Sequence, residues 1–595
     1  MNKKMLVILV SVLVAISYVL HKTIGYHPLT IGIMLISTIL AGGPILRRAL
    51  AAIRYRIVGI DALVSIAVIG ALIIGEYWEA AAVTFLFMIG DYLESRTLEK
   101  TRSSIKSLMA LAPDTARVKI DGKDKIISPS ELEEGMTMII KPGERIAADG
   151  VVLEGSAYVD QASITGEPEP VSKKEGDQIF SGTIITSGYL IVKALKVGEN
   201  TTFAKILHLV EEAQDAKAPT QKFIERFSKY YTPAVIVLSL VTYLITGDVR
   251  MALTLLVIAC PGALVISVPV SIVAAIGASA KLGVLVKGGE VMERLGTIQV
   301  TAFDKTGTLT EGKPSVVSVY AYGMSEDEVL HLAALGETYS EHPLATTIIQ
   351  EAEKRGLLTD KKPEKPDHIQ GRGVRFAVAG ETYYIGNRAL FEEAGVDISL
   401  ALSDIQKEEH AQRTAVIIGS AKNVIALIII ADKPRVEGPI VIAELKKLQV
   451  KRAVMLTGDS KGTAEAVAKY LNLDEFSYEL LPEQKLEAVK KLQEKYGKVA
   501  VIGDGINDAP SLATADVGIA IGATGNDVAM ETADVILLGQ NLTGILDAIR
   551  ISRMAVRNMK QNITFAIGVA LVLLAGVLLG GVTLSIGMLV HELSV

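Results

Sequence analysis

The sequence predicts a multidomain membrane protein: an α-helical transmembrane bundle of about eight spans, a doubly wound α/β domain with an α+β insert, and a separate β-rich domain. Three observations carry that prediction. Half of the 595 residues are hydrophobic and mean hydropathy is +0.39, yet 21% are charged, so one chain must serve both an apolar phase and water. Apolar stretches long enough for a bilayer fall in groups, separated by two polar stretches at about 96–225 and 280–555. Within the second polar stretch, short valine- and isoleucine-rich runs alternate with helical patterns, the arrangement of a buried parallel sheet.

The candidate spans lie at about 4–22, 28–46, 57–74, 76–95, 230–247, 250–273, 560–578 and 580–595. Lys3 and Lys4 precede the first, and Arg47, Arg48, Arg54 and Arg56 follow the second. Positive-inside reasoning then puts the N-terminus and both polar stretches in the cytoplasm. The apolar start at Met5–Leu20 leads into further spans and lacks a small-residue cleavage site, so it is not read as a secretory signal. Gly42-Gly43-Pro44 is expected to break the second span, leaving "ILRRALAAIRYR" as an amphipathic interfacial segment. A net charge of −6 argues against nucleic acid as a partner. Cys260, the single cysteine, excludes intrachain disulfides and any CxxC metal domain. Membrane lipid is the expected surrounding, and a monomer the expected state.

"TIQVTAF", "KRAVML", "KVAVIG", "DVGIAI" and "DVILL" read as the parallel strands, with "KGTAEAVAKYL" and "PEQKLEAVKKLQEKY" as helices between them. In such a sheet the reactive site lies beyond the carboxyl ends of the strands. Three polar clusters fall there: Asp304 in "DKTGTLT", Thr457–Asp459 in "TGD", and Gly503–Asp508 in "GDGIND". Acidic corners converging on one crevice attract Mg²⁺ and, through it, phosphate. No GxxxxGK[ST] loop is present, which argues against a Walker-type cradle. A carboxylate can instead attack the γ-phosphoryl of ATP itself. Asp304 is the natural nucleophile. Asp504 joins it around Mg²⁺, Lys485 adds a cation, and Thr306 and Thr457 donate hydrogen bonds.

DKTGTLT, TGD and GDGINDAP, in this order with a domain inserted after the first, resemble the P-type ATPases, ion pumps that cycle through an aspartyl-phosphate. The resemblance runs over nearly the whole chain. It implies a haloacid-dehalogenase-like phosphorylation domain and a catalytic set of Asp304, Lys305, Thr306, Thr457, Asp459, Lys485, Asp504, Asn507 and Asp508, with Asp304, Thr306 and Asp504 around Mg²⁺. It also implies an order of domains: spans one to four in 1–110, an actuator in 111–215, spans five and six in 216–290, the phosphorylation domain in 291–315 and 431–557, a nucleotide-binding domain in 316–430, and spans seven and eight in 558–595. The insert contains "SEHPLA" and "GRGV", weak signals alone, which match the heavy-metal-transporting subgroup and imply ATP contacts at Glu337, His342, Gly371 and Gly373. "TGEPEPV" in the β-rich region resembles the actuator loop, which makes Glu167 the residue that positions the hydrolytic water.

The transported ion is signalled by "LLVIACPGALVISVP". Pro261 removes a backbone donor and Gly262 loosens the helix, freeing carbonyls at membrane depth. Cys260 beside the break offers a thiolate that suits Zn²⁺, Cd²⁺ or Cu⁺ and not Na⁺, K⁺ or Ca²⁺. Heavy-metal pumps usually show Cys-Pro-Cys here; this chain has Cys-Pro-Gly. "MLVHELSV" adds His591 and Glu592, a pair closer to the His-Glu of cobalt/zinc-type pumps than to the paired serines of copper pumps. Cys, His and Glu together suit Zn²⁺, Cd²⁺ or Co²⁺, with Cu⁺ as the alternative. Zinc pumps pair a seventh-span lysine with a fourth-span glutamate. The matching positions here are Ala570 and Glu79, so Glu79 is a release candidate without its usual counter-ion. A membrane-anchored phosphatase is the competing reading from another class; it explains the Asp304 crevice but neither the actuator loop nor the broken span.

Overall fold

The computed structural model describes every residue except 1–2, 56–58, 110–112, 121–122, 166–168, 261, 341, 360–361, 370, 412, 506–507, 523–526 and 595. The chain divides into two compact units, Met1–Thr297 with Asp547–Val595, and Ile298–Leu546.

In the first unit each predicted span meets a helix, with shifted ends. Lys3–Ile24, Pro28–Ala52, Leu264–Lys281, Thr543–Leu578 and the stretch Thr202–Thr246 are long and apolar enough to cross a membrane. Ile60–Ile73, Val249–Ile258 and Leu584–Ser594 are apolar but shorter. The span read at 76–95 is the start of a 33-residue helix, Tyr77–Met109. That read at 560–578 is the end of a 36-residue helix, Thr543–Leu578, which begins well before position 558.

Gly42-Gly43-Pro44 does not break the second span: one helix runs from Pro28 to Arg54 with Pro44 inside it. An apolar surrounding satisfies backbone groups only within a helix, so continuing the helix past Pro44 costs less than ending it there. Gly42 also has a packing use. A Cβ there would lie 3.2 Å from Thr84 Cγ2, so its absence lets the Tyr77–Met109 helix come close. The break predicted beside Cys260 is present, with Pro261 itself outside the described residues. Val249–Ile258 ends before Cys260, and a new helix starts at Gly262. Leu63, Ala67, Ala80, Val83, Val257 and Met588 fill the core between these helices.

The β-rich part of this unit is an antiparallel sheet whose longest strands, Asp149–Asp160 and Ile184–Lys196, pair along their length. Asp149 begins the first of them, is buried, and accepts the Ser181 and Thr202 backbone N–H groups at 2.8 and 2.7 Å. Those bonds fasten the sheet to the helix Thr202–Asp215.

The second unit holds a parallel sheet in the order Glu475–Ser477, Arg452–Leu456, Val300–Asp304, Val499–Gly503, Val517–Ile521, Val535–Leu537. Its central strands are buried along nearly their whole length, as their unbroken apolar runs require. In register, Leu456 faces Asp304 and Ile502 faces Phe303, so the loops after these three strands open at one edge. Between the first and second passes through this sheet, the chain builds a six-stranded sheet running from Thr310–Ala321 through Val424–Pro434 to Glu364–Ile369, backed by the helices Glu326–Glu337 and Pro343–Lys354.

Candidate functional site

Asp304 is the last residue of its strand, where the chain leaves the sheet. Its Oδ2 accepts the Thr306 backbone N–H at 3.1 Å, so Thr306 acts here through its main chain. Lys485, one turn into the helix Pro482–Tyr496, places Nζ 2.5 Å from Asp304 Oδ1 and 2.9 Å from Asp508 Oδ1. Burial, followed by repulsion from Asp508, raises the Asp304 carboxyl to about 6, with Lys485 pulling the other way. Burial also works against the Lys485 ammonium, but Asp304 and Asp508 outweigh it and hold the lysine above its ordinary value. A carboxylate pair sharing one cation is therefore poised to receive a further positive charge or an electrophilic phosphorus.

The loop after Asp304 turns through Gly307, at φ +71°. A Cβ there would lie 4.0 Å from Asp504 Oδ2, so Asp504 stands against this loop. Lys305 pairs with Asp459, and the Thr457 hydroxyl accepts the Asp459 backbone N–H at 3.1 Å. Gly503 has no room for a Cβ, which would sit 2.9 Å from Asp508 Oδ2. The corners read from three separate motifs thus meet around one loop.

Two residues that sequence reading missed hold that loop in shape. Arg435 is buried and donates from Nε to the Thr308 carbonyl at 2.9 Å and from an Nη to the Gly307 carbonyl at 3.2 Å. Asp432 accepts the Gly312 N–H at 2.9 Å and the Thr310 hydroxyl. Both sit in "ADKPR", where the chain returns from the insert; the clue was a charged cluster at the end of an apolar strand. Asn507 and Glu167 lie outside the described residues.

In the insert, Glu337 ends its helix almost fully buried, and burial holds its carboxyl above the usual carboxylate range against the opposing pull of Ser340, His368 and His342. His342 caps the next helix, its Nδ1 accepting the Leu344 N–H at 3.2 Å. His368, on the strand opposite Val374, completes this group and was not anticipated. Gly371 presents its carbonyl to Asn387 Nδ2 at 3.0 Å. Gly373 has a packing reason to be glycine: at φ +149°, a Cβ would collide with the Ile385 carbonyl and lie 2.6 Å from Gly386 Cα.

At the break between Ile258 and Gly262, a Cβ added to Gly262 would lie 3.6 Å from both Cys260 Sγ and His591 Nε2. The thiol and the imidazole therefore face one small space that any side chain at 262 would fill. Glu592, the next residue on that helix, packs its carboxylate on Gly90 and lines a cavity of about 280 Å³ with Glu94, Ser267, Ser271, Asn558 and Asn562. Glu79 stands in a different cavity of about 260 Å³ with Glu76, Asp248 and Arg250, and its Oε2 accepts the Ser585 N–H at 2.5 Å. Arg250, which pairs with Glu76, lines the same cavity as Glu79, whereas position 570 is an alanine. Among the described residues no group of three or more His, Cys, Asp or Glu converges as a metal site.

Residues 298–516 match the haloacid dehalogenase-like hydrolase family, and residues 110–211 match the P-type ATPase actuator domain. A cadmium-transporting ATPase of Staphylococcus aureus is 42% identical over 97% of this chain and 82% of its own length. A zinc-transporting ATPase of Bacillus subtilis is 37% identical over 96% of this chain and 90% of its own. The crystal structure of a zinc-transporting PIB-type ATPase in its E2·Pi state superimposes with a TM-score of 0.62 and 36% identity, covering 100% of this chain and 98% of that one.

Proposed function

The chain belongs to the P-type ATPases, in their heavy-metal-transporting branch, and from that premise we propose that it exports a divalent soft or borderline ion, Zn²⁺, Cd²⁺ or Co²⁺, at the expense of ATP. The observation that carries the choice of ion is the meeting of Cys260 and His591 at the helix break. Thiolate with imidazole suits a borderline ion, whereas Cu⁺ favours sulfur throughout. Relatives named for cadmium and zinc support the same choice.

In the reaction, a side-chain oxygen of Asp304 attacks the γ-phosphorus of ATP, forming the acyl-phosphate while ADP departs. Lys485 neutralises part of the charge gathered on the phosphoryl oxygens, and Arg435 and Gly307 keep the loop backbone where those oxygens arrive. Asp304, Asp504 and Thr306 form an all-oxygen set that fits Mg²⁺, which when bound neutralises the transferring phosphate. Glu337, His342 and His368 take the adenine side of ATP, with Gly371 and Gly373 letting the backbone approach it. Glu167 directs water onto the acyl-phosphate, returning Asp304 to its free state. Transport couples to these steps because the ion at Cys260 and His591 is held before phosphorylation and released after it, with Glu79 on the release side.

The test is metal-stimulated ATPase activity of the full chain with Zn²⁺, Cd²⁺, Co²⁺ and Cu⁺, alongside Cys260→Ala and His591→Ala. Stimulation by the divalent ions that both substitutions abolish is expected. Stimulation by Cu⁺ alone contradicts the divalent assignment, and turnover indifferent to every metal favours a phosphatase.

A further inference from the structure

The face of the first unit formed by the helices Pro28–Arg54, Ile60–Ile73 and Tyr77–Met109 carries an apolar groove of about 190 Å³ whose lining holds none of the residues given a role in the proposed transport cycle. Ile39, Gly43, Leu46, Val68, Ile69 and Leu72 line it. Gly43 opens it, since a Cβ there would meet nothing within 4 Å. Three hydroxyls reach the lining. Thr38 and Thr84 are satisfied by their own helices, donating to the Met34 and Ala80 carbonyls at 2.8 and 2.9 Å. Ser65 is different: the residue is only 9% exposed, and its Oγ has no hydrogen-bond partner.

One end of the groove meets a layer of charge. Lys3 pairs with Asp91 at 2.8 Å, and Arg48 with Asp61 at 3.1 Å and Asp91 at 3.5 Å. Arg47 is exposed and makes no ion pair among the described residues. It lies four residues after Gly43, hence on the same helix face about 6 Å further along. Ser65 lies four residues after Asp61, about 6 Å inward from the charged layer by the same spacing. A cation at the rim, an unpaired donor one turn below it and an apolar channel below that follow the order of phosphate, ester and acyl chain in a phospholipid.

We propose that this groove binds one anionic phospholipid, its phosphate on Arg47, an ester carbonyl accepting from Ser65 and an acyl chain against Gly43. A zwitterionic lipid brings its own cation to the rim and fits less well. Inorganic phosphate has nothing to fill the channel.

Native mass spectrometry of the delipidated full chain, titrated with phosphatidylglycerol, phosphatidylcholine or inorganic phosphate, tests this. One phosphatidylglycerol should bind in preference to the other two. Arg47→Gln should weaken it about tenfold, the worth of one charge-assisted hydrogen bond. Gly43→Leu, and Ile69→Trp from the facing helix, should each plug the channel and abolish that preferred binding. Ser65→Ala should have the smallest effect. Each variant is taken forward only as a monodisperse protein, and two plugs on different helices keep the result independent of either one's folding. Equal binding of both lipids, displacement by inorganic phosphate, or retention of phosphatidylglycerol by both plugged variants overturns the proposal.

Discussion

The crevice at Asp304 and the proposed intramembrane metal position solve the same problem, holding charge in a confined place, by opposite means. At the crevice, Asp304 is bound on several sides: a backbone N–H, the Lys485 ammonium, and a loop that Arg435 and Asp432 hold from behind. At the metal position, Cys260 and His591 meet across a gap kept open by a glycine. The first is preorganised by many partners and tolerates little change of shape. The second is defined by two side chains and a missing one, which suits a place that must take up and release its occupant in each cycle.

That contrast predicts how each region fails. Asp304→Asn should abolish the phosphoenzyme altogether, since no other carboxylate replaces the attacking atom; acid-quenched labelling with radioactive ATP measures it. Cys260→Ala and His591→Ala should remove metal stimulation while leaving phosphorylation by inorganic phosphate intact, because that reaction uses only the crevice. Arg435→Met removes two hydrogen bonds from a buried cation and should slow phosphoenzyme formation roughly a hundredfold, about 3 kcal/mol. If it behaves like wild type, the loop is not held from behind and the contrast weakens.

A smaller effect concerns titration. In the metal-free protein, the Asp304 carboxyl should ionise with a midpoint near 6. Its raised value means that the fold favours the protonated form. The resulting contribution to stability is complete below the unfolded carboxyl range and is lost as pH rises through about 6. Lys485→Met removes the cation that opposes the rise while Asp508 stays, so the midpoint should move up, as carbon-13 NMR of labelled aspartate would record. The smallest effect is Gly307→Ala: at φ +71° a Cβ costs about 1–2 kcal/mol, which should lower the melting temperature by a few degrees and leave metal selectivity unchanged.

Much of the crevice was legible because each of its corners ends a buried strand, and strand, turn and acidic residue together leave a local signature. Asp432 and Arg435 were not, because they act on Thr310 and Gly307–Thr308 from more than 120 positions away, and only the return of the chain from the insert brings them there. The helix break beside Cys260 was read correctly from Pro-Gly. A similar signal, Gly-Gly-Pro at 42–44, misled, since an apolar surrounding keeps the backbone helical through it. His591 and Glu592 were read as a pair because they adjoin in sequence; His591 stands beside Gly262, and Glu592 packs on Gly90. Arg250 escaped notice because a charge at the start of a helix is ordinarily solvated, and only the fold puts it beside Glu76 and Glu79.

The most direct measurement is the level of acid-stable phosphoenzyme formed from ATP by the full chain with and without Zn²⁺ or Cd²⁺, in wild type and in Cys260→Ala. A metal-dependent, hydroxylamine-sensitive adduct in wild type, absent in Asp304→Asn and independent of metal in Cys260→Ala, is the predicted result. An adduct that survives Asp304→Asn, or one that answers to metal equally well without the Cys260 thiol, would contradict it.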